Sequence, residues 1–290
     1  MNGILLVDKP AGWTSHDVVA KLRGVLRERR MGHSGTLDPM ATGLLVVFVG
    51  RATRAVEFAE ADAKTYLAGL HLGQVTDTQD TTGRTLEQRP VKLTEEVLTA
   101  ALAAFRGPQM QIPPMYSAIK VEGKKLYEIA RRGGEVERKP REITIHSLEI
   151  QGGAEADWRL EICCSKGTYI RTLCHDIGQT LGCGGCMSAL RRTRAGAFSV
   201  EEAHSLEEIA QAAAEGRAEE LLLPVDGLFA SYPAVTIPEQ ESKRARNGNA
   251  VRCKAPAGYC RVYAPDGSFL LLGHAAEDEI TTVKSFFEVK

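Results

Sequence analysis

The stretch GHSGTLDPMATGLLVV, Gly32 to Val47, presents one carboxylate, Asp38, between glycines and just ahead of an apolar run. Gly32, Gly35 and Gly43 admit backbone angles closed to residues with a Cβ, and Pro39 fixes φ directly behind the acid, so the loop is shaped rather than slack. Two readings are open: an Asx turn leading into a buried strand, or a loop built to present an acid to a substrate. Asp77 and Asp80, in the polar segment TDTQD, could join Asp38 as paired carboxylates of a nucleosidase, or could simply form a turn. Cys183 and Cys186 form a CxxC that could be half of a zinc site with Cys163, Cys164, Cys174 or His175; without a second pair at suitable spacing, small buried thiols are the simpler expectation.

Positioning such groups requires a scaffold, and the pattern around them predicts one. GILLVDKP reads as an opening strand stopped by Pro10, and SHDVVAKLRGVLRERR as a helix capped by Thr14 or Ser15. GLLVVFVG is a buried strand, RATRAVEFAEA a short helix, and KTYLAGLHLG a partly alternating strand running into a polar loop, QVTDTQDTTG. Helices are expected over Leu93 to Phe105, near Lys125 to Arg132, and over Thr168 to Leu181, with strands at Glu142 to Ile150 and Trp158 to Ser165. QIPPMYSAIK is too rich in proline to start a helix and reads as loop or extended chain. SLEEIAQAAAEG is a helix capped by Ser205, and beyond about Tyr232 the pattern changes to short strands broken by Asn-Gly and Asp-Gly turns.

With 290 residues, 43% hydrophobic and 25% charged, the chain is long enough for one large core and a small second domain. No apolar stretch approaches membrane-spanning length and the first residues lack the features of a signal peptide, so the protein reads as cytoplasmic, and its seven cysteines as reduced thiols. A net charge of −1 hides segregation: KLRGVLRERR, KVEGKKLYEIARRGG, LRRTR and KRARNGNAVRCK are basic, whereas Glu201 to Glu220 is strongly acidic. Each basic run alone is a solvated face; together they suit a polyanion, because attraction depends on charges within a Debye length of ~8–10 Å.

Five ordered segments carry a resemblance: DKPAGWTSHDVV, GHSGTLDPMATGLL, KTYLAGLHLGQVTDTQDTTG, QIPPMYSAIKVEGKKLYEIAR, and CSKGTYIRTLCHDIG with LRRTRAGAF. In this order they resemble the bacterial tRNA pseudouridine-55 synthases of the TruB type. The resemblance implies an α+β fold: a pseudouridine synthase mixed β-sheet with flanking helices over residues 1–231, an insertion at about 108–141 that grips the T arm, and a β-rich PUA-like RNA-binding domain over 232–290. It implies isomerisation of uridine 55 in the TΨC arm of tRNA, with no metal, nucleotide or organic cofactor. It further implies a monomer that needs no guide RNA, protein partner or membrane.

Residue by residue, Asp38 matches the family's essential aspartate, Tyr66 its active-site tyrosine, and Arg171 the arginine that pairs with the aspartate. His33 matches a residue contacting RNA near the flipped base, Lys9 and Pro10 a segment packed near the active site, and Leu190 an apolar residue lining the uracil pocket. Lys64, two residues before Tyr66, and Lys120, in the insertion, are further expected RNA contacts. Thr65 stands where many members have arginine, and Cys186 where histidine is frequent. A non-catalytic RNA-binding module, or a sister synthase acting on another RNA, are the competing readings.

The chemistry suits these residue types. Pseudouridine formation breaks the N1–C1′ bond, turns the uracil, joins C5 to C1′ and releases the C5 proton, with no redox step. A carboxylate can act as nucleophile, as electrostatic partner to C1′, or as base at C2′. An arginine can keep such a carboxylate ionised, and a tyrosine can stack on the flipped uracil. The basic segment from Lys120 to Arg141, with Tyr116 and Tyr127 nearby, suits phosphate and shape contacts with folded RNA.

Overall fold

Apolar runs rich in β-branched residues set the first elements of the computed structural model, which describes residues 1–60, 63–121 and 123–287. Gly3–Lys9 (β1) is followed by helix α1 (Ser15–Leu26), strands β2 (Met31–Ser34) and β3 (Thr42–Val49), and helix α2 (Val56–Glu60). Thr14 caps α1 through a reciprocal capping box with Asp17, which resolves the cap left open by the sequence. The helix ends at Leu26, short of the expected Arg30, because Arg27 turns left-handed at φ 50°.

The chain forms two compact units, Met1–Pro39 with Leu44–Glu60 and Ala197–Lys290, and Met40–Gly43 with Ala61–Gly196. The first unit has a core of Leu5, Val7, Val18, Leu22, Leu45 and Val47, joined by Leu206 and Ile209. Its remaining elements follow the second unit in the chain and are described after it.

In the second unit, β4 (Lys64–Leu72) is followed by β5 (Gln74–Thr76), β6 (Thr85–Gln88), α3 (Glu95–Ala103), β7 (Gly107–Gln111), β8 (Lys120–Val121), β9 (Lys124–Lys125) and α4 (Leu126–Ala130). Then come β10 (Arg141–Ala154), β11 (Asp157–Cys164), α5 (Ile170–Thr180) and β12 (Gly185–Ala195). The sheet order is β12-β4-β11-β10-β7, with each neighbouring pair antiparallel. Thr42 and Gly43, the first residues of β3, add a parallel pairing to Arg191 and Arg192 of β12, so the sheet is mixed. Gly43 has φ +94°, and a Cβ there would lie 2.3 Å from the Arg192 carbonyl oxygen, so that pairing requires glycine.

Two expectations change here. Most of LGCGGCMSALRRTRA, read as a CxxC and a basic surface run, is strand β12, which starts at Gly185 and takes in Cys186 but not Cys183, and Arg192 is fully buried within it. Alternation along a strand turns successive side chains to opposite faces, so a charge run need not be a surface. The polar loop QVTDTQDTTG begins with β5, which pairs with β6, and Asp80 within it is 4% exposed.

The first unit resumes with β13 (Phe198–Ser199), α6 (Leu206–Ala214), β14 (Ala234–Thr236), α7 (Glu239–Arg246), β15 (Val251–Arg252), β16 (Gly258–Tyr263), β17 (Phe269–Ala276) and β18 (Glu279–Ser285). The expected β-rich segment is a five-stranded sheet, β14-β16-β17-β18-β15, over a core that includes Val251, Val262, Leu270 and Ile280. Residues 288–290 of the expected domain lie outside the described residues. Phe229 joins this sheet to α2, with ring centroids 5.2 Å from Phe58 of α2 and 6.2 Å from Phe269 of β17. Among the described residues, no helix is long and apolar enough to cross a membrane.

Helix α5 lies against β12, and glycine meets glycine there: a Cβ on Gly178 would sit 2.2 Å from the Gly185 amide nitrogen. Gly178→Ala is expected to lower stability by about 2 kcal/mol or more, read as a fall in the denaturation midpoint, because neither backbone can yield cheaply. On the same helix, burial pushes the half-buried Asp176 carboxyl up to about 6. Folded protein then keeps the proton between roughly pH 4 and 6 while the unfolded chain has lost it, so this group's contribution falls as pH rises through that window. Asp176→Asn should therefore stabilise the protein at pH 8 by about 1 kcal/mol, after allowance for solvent screening, and bring no gain near pH 4; melting curves at the two pH values check this.

Candidate active site

Asp38 is half-buried, and the residues on both sides of it are held. Ser15, at the start of α1, accepts a hydrogen bond from the Leu37 amide at 2.9 Å and donates to the Leu37 carbonyl at 3.3 Å. On the other side, the Pro39 carbonyl accepts from the Gly12 amide at 2.8 Å and from Lys9 Nζ at 3.4 Å. Lys9 has no exposed surface, and its ammonium also donates to the carbonyls of Pro10 at 2.9 Å and Trp13 at 2.6 Å. The loop geometry expected from glycines and proline is therefore completed by a buried cation. Lys9 and Pro10 lie in the same unit as Asp38, and Lys9 bonds the carbonyl of Pro39, the residue after Asp38. His33, on β2, meets His16 edge to face at 6.2 Å.

The second unit carries the other predicted residues. Lys64 and Tyr66 occupy alternate, buried positions of β4, on the same sheet face as Leu190 and Arg192 of β12, with Tyr66 opposite Arg192 and Leu190 opposite Ala68. Lys120 is different: it is exposed on β8, in a small hairpin with β9, and is not part of that buried face.

Arg171, in the first turn of α5, is 6% exposed. Its guanidinium donates from Nη1 to the Thr78 carbonyl at 3.1 Å and from Nη2 to the Tyr116 carbonyl at 2.8 Å, and lies 3.7 Å from the Asp80 carboxylate. Asp80 is in turn fastened by the hydroxyl of Thr78 at 2.8 Å and by the amide and hydroxyl of Thr82 at 2.9 and 2.5 Å. Thr172 adds a bond to the Gln79 side-chain oxygen at 2.7 Å. A buried ion pair with its remaining lone pairs satisfied in this way fixes orientation more than it adds stability.

Reading the sequence alone missed this role of Asp80. Its repeated Asp and Thr residues signal a turn, and nothing in their spacing signals burial against an arginine some ninety positions later. The geometry also bears on the paired-carboxylate reading: Asp80 is committed to Arg171 and the threonines, and Asp77 accepts from the Arg84 amide at 2.8 Å, as a turn residue does. All seven cysteines are free thiols, and among the described residues no group of three or more His, Cys, Asp or Glu is placed to hold a metal. Burial raises the Cys186 thiol to about 11, the behaviour of a core thiol. A cavity of about 780 Å³ in the second unit, lined by His71, Arg89, Lys92 and Glu155 among others, contains none of the predicted site residues.

Residues 23–170 match the family model described as the TruB family pseudouridylate synthase N-terminal domain, and residues 171–230 that of the tRNA pseudouridylate synthase B C-terminal domain. A tRNA pseudouridine synthase B from Syntrophomonas wolfei is 45% identical over 285 residues, which are 95% of this chain and 94% of that protein. One from Opitutus terrae is 49% identical over 226 residues, 78% of this chain and 93% of its own. Among solved structures, a chain of a Cbf5-Nop10-Gar1 complex superposes over 98% of this chain and 85% of that one, with a TM-score of 0.74 and 26% identity. A sheet of this order, a clamped aspartate loop and matches running almost the length of the chain converge on one conclusion: this protein belongs to the TruB family of pseudouridylate synthases.

Proposed function

We propose that the protein isomerises the uridine at position 55 in the T arm of tRNA to pseudouridine, with Asp38 as the essential group. The observation that carries the reading is the double clamp on the Asp38 loop, Ser15 on Leu37 and Gly12 with Lys9 on Pro39, in a chain of this family. A loop held at both shoulders presents its carboxylate in one orientation, and catalysis by a single acid depends on such preorganisation.

The reaction is an internal exchange of bonds. The N1–C1′ bond breaks, the uracil is retained and rotated, C5 bonds to C1′, and the C5 proton leaves while N1 gains one; nothing is oxidised or reduced. Asp38 acts at the electron-deficient ribose, Tyr66 offers its ring to the flipped base, Leu190 lines the uracil site, and Arg171 supplies a fixed positive charge. His33 and Lys64 contact the RNA beside the flipped nucleotide. Base flipping costs a few kcal/mol, and stacking on an aromatic ring recovers about 1–3 kcal/mol.

The insertion at about 108–141 is the RNA grip. Its Tyr127 ring lies 5.4 Å from both the Lys125 ammonium and the Arg131 guanidinium, so two cations and one aromatic present a surface suited to phosphate and ribose, with Lys120 exposed on the same hairpin. The five-stranded sheet after residue 232 serves as a further RNA-binding module. The enzyme works in the cytoplasm as a monomer, without cofactor or guide RNA.

Tritium release from a T-arm stem-loop labelled at uracil C5 tests the reading. Wild type should release tritium and retain the base in the RNA, and Asp38→Asn should release none while binding RNA within about threefold of wild type, since it removes charge but not shape. Free uracil in the products would instead mark a nucleosidase. Asp80→Asn should slow turnover roughly tenfold or more and leave RNA affinity nearly unchanged, because Arg171 loses one of the buried partners that fix its direction; equal rates in the two proteins would contradict that role.

A further inference from the structure

Strand β7 is inside out at its end. Met110 and Ile112 are 63% and 50% exposed, whereas Gln111 between them is 4% exposed. A strand that turns its polar residue inward and its apolar neighbours to solvent breaks the ordinary rule, and such local conflicts concentrate where a structure serves function.

The buried amide of Gln111 meets the same residue twice. Its Oε1 accepts from the Tyr169 amide at 2.8 Å, and its Nε2 donates to the Tyr169 carbonyl at 3.1 Å. This side chain thus does what a neighbouring strand's backbone would do, and it does so at the N-cap residue of α5, two positions before Arg171. From Gln111 the chain runs through the buried Pro113 and Pro114 to Tyr116, whose carbonyl accepts from Arg171. Arg138, near the far end of the insertion, donates back to the Pro113 carbonyl at 3.2 Å. The insertion and the first turn of α5 therefore share one anchor, with prolines restricting the chain between its two contacts.

We propose that Gln111 is a positioning residue for the isomerisation: by gripping the Tyr169 backbone it sets the direction of Arg171, and it links the seating of RNA on the insertion to that alignment. This role rests on the reading of the chain as a T-arm synthase that uses Arg171. A purely structural glutamine would lower stability, binding and rate together; a positioning residue separates rate from binding.

The experiment measures single-turnover pseudouridine formation on a T-arm stem-loop transcript, with RNA affinity and thermal unfolding measured alongside. Gln111→Met keeps the length of the side chain and removes both hydrogen bonds. It should slow the chemical step roughly tenfold or more while affinity stays within about threefold, and it should add little to the loss already caused by Arg171→Lys, since residues acting through one another are non-additive. Gln111→Glu keeps the acceptor and regains the donor only when protonated, so its rate relative to wild type should rise as pH falls from about 8 to about 6. Wild-type rate in Gln111→Met, or a full independent loss on top of Arg171→Lys, overturns the role. Should Gln111→Met fail to fold, a flat pH ratio for Gln111→Glu overturns it equally. An inactive wild type overturns the synthase reading and this role with it, whereas an active wild type with an unimpaired Gln111→Met overturns the role alone.

Discussion

A guanidinium taken out of water must recover its solvation from the protein, and Arg171 shows what that requirement imposes. Its 6% exposure leaves solvent almost no part in stabilising the charge, so the carbonyls of Thr78 and Tyr116 and the carboxylate of Asp80 take over. Those partners come from two segments far from α5 in the chain. For the bonds to form, the TDTQDTTG loop must fold onto the sheet, which it does through the amide of Thr81 bonding to the Met187 carbonyl and that of Met187 to the Gln79 carbonyl. The PPMYS segment must likewise be held, which Gln111 achieves at its root. One buried charge thus dictates the course of chain segments that have little secondary structure of their own.

The first unit meets the same physics with a different cation. Lys9 is fully buried, and its ammonium is shared among the carbonyls of Pro10, Trp13 and Pro39. An ammonium has three donors and no acceptor, so carbonyls of irregular backbone are suitable partners, and the segments that supply them are drawn together around it. The consequence is that the residue after Asp38 is held by a strand end and the residue before it by a helix start, through Ser15. An acid on such a loop loses little entropy when it meets its substrate, which is the advantage of preorganisation over flexibility.

Surface chemistry in this protein is local rather than global. A net charge of −1 gives no overall attraction to a polyanion, so positive potential is confined to patches such as the Lys125, Tyr127 and Arg131 group, where cations and an aromatic ring stand together. The basic run at Leu190 to Arg194 shows the limit of counting charges along a chain. Arg192 is buried and Arg194 two positions on is exposed, because a register shift between them breaks the strand's alternation, so one run supplies both an interior charge and a surface one.

Much of this molecule is legible in its residues taken in order. Capping at Thr14, the apolar run of β3, the alternation of β4 and the turn-broken strands after residue 232 are local signals, and each element formed where its own side chains favour it. The Asp38 loop was marked by Gly32, Gly35, Gly43 and Pro39, because backbone angles are a property of single residues. Strand β12 escaped notice because its glycines, cysteines and arginines carry no strand signal, and its place is decided by pairing with β4 and by the approach of Gly178 to Gly185. The partners of Lys9, Asp80 and Gln111 were equally hidden, since a buried polar group takes its meaning from what lies across from it. Sequence by itself determined most of the elements and the shape of the Asp38 loop; only the tertiary structure decided the place of β12 and which polar side chains leave water, because that choice depends on partners brought together by folding.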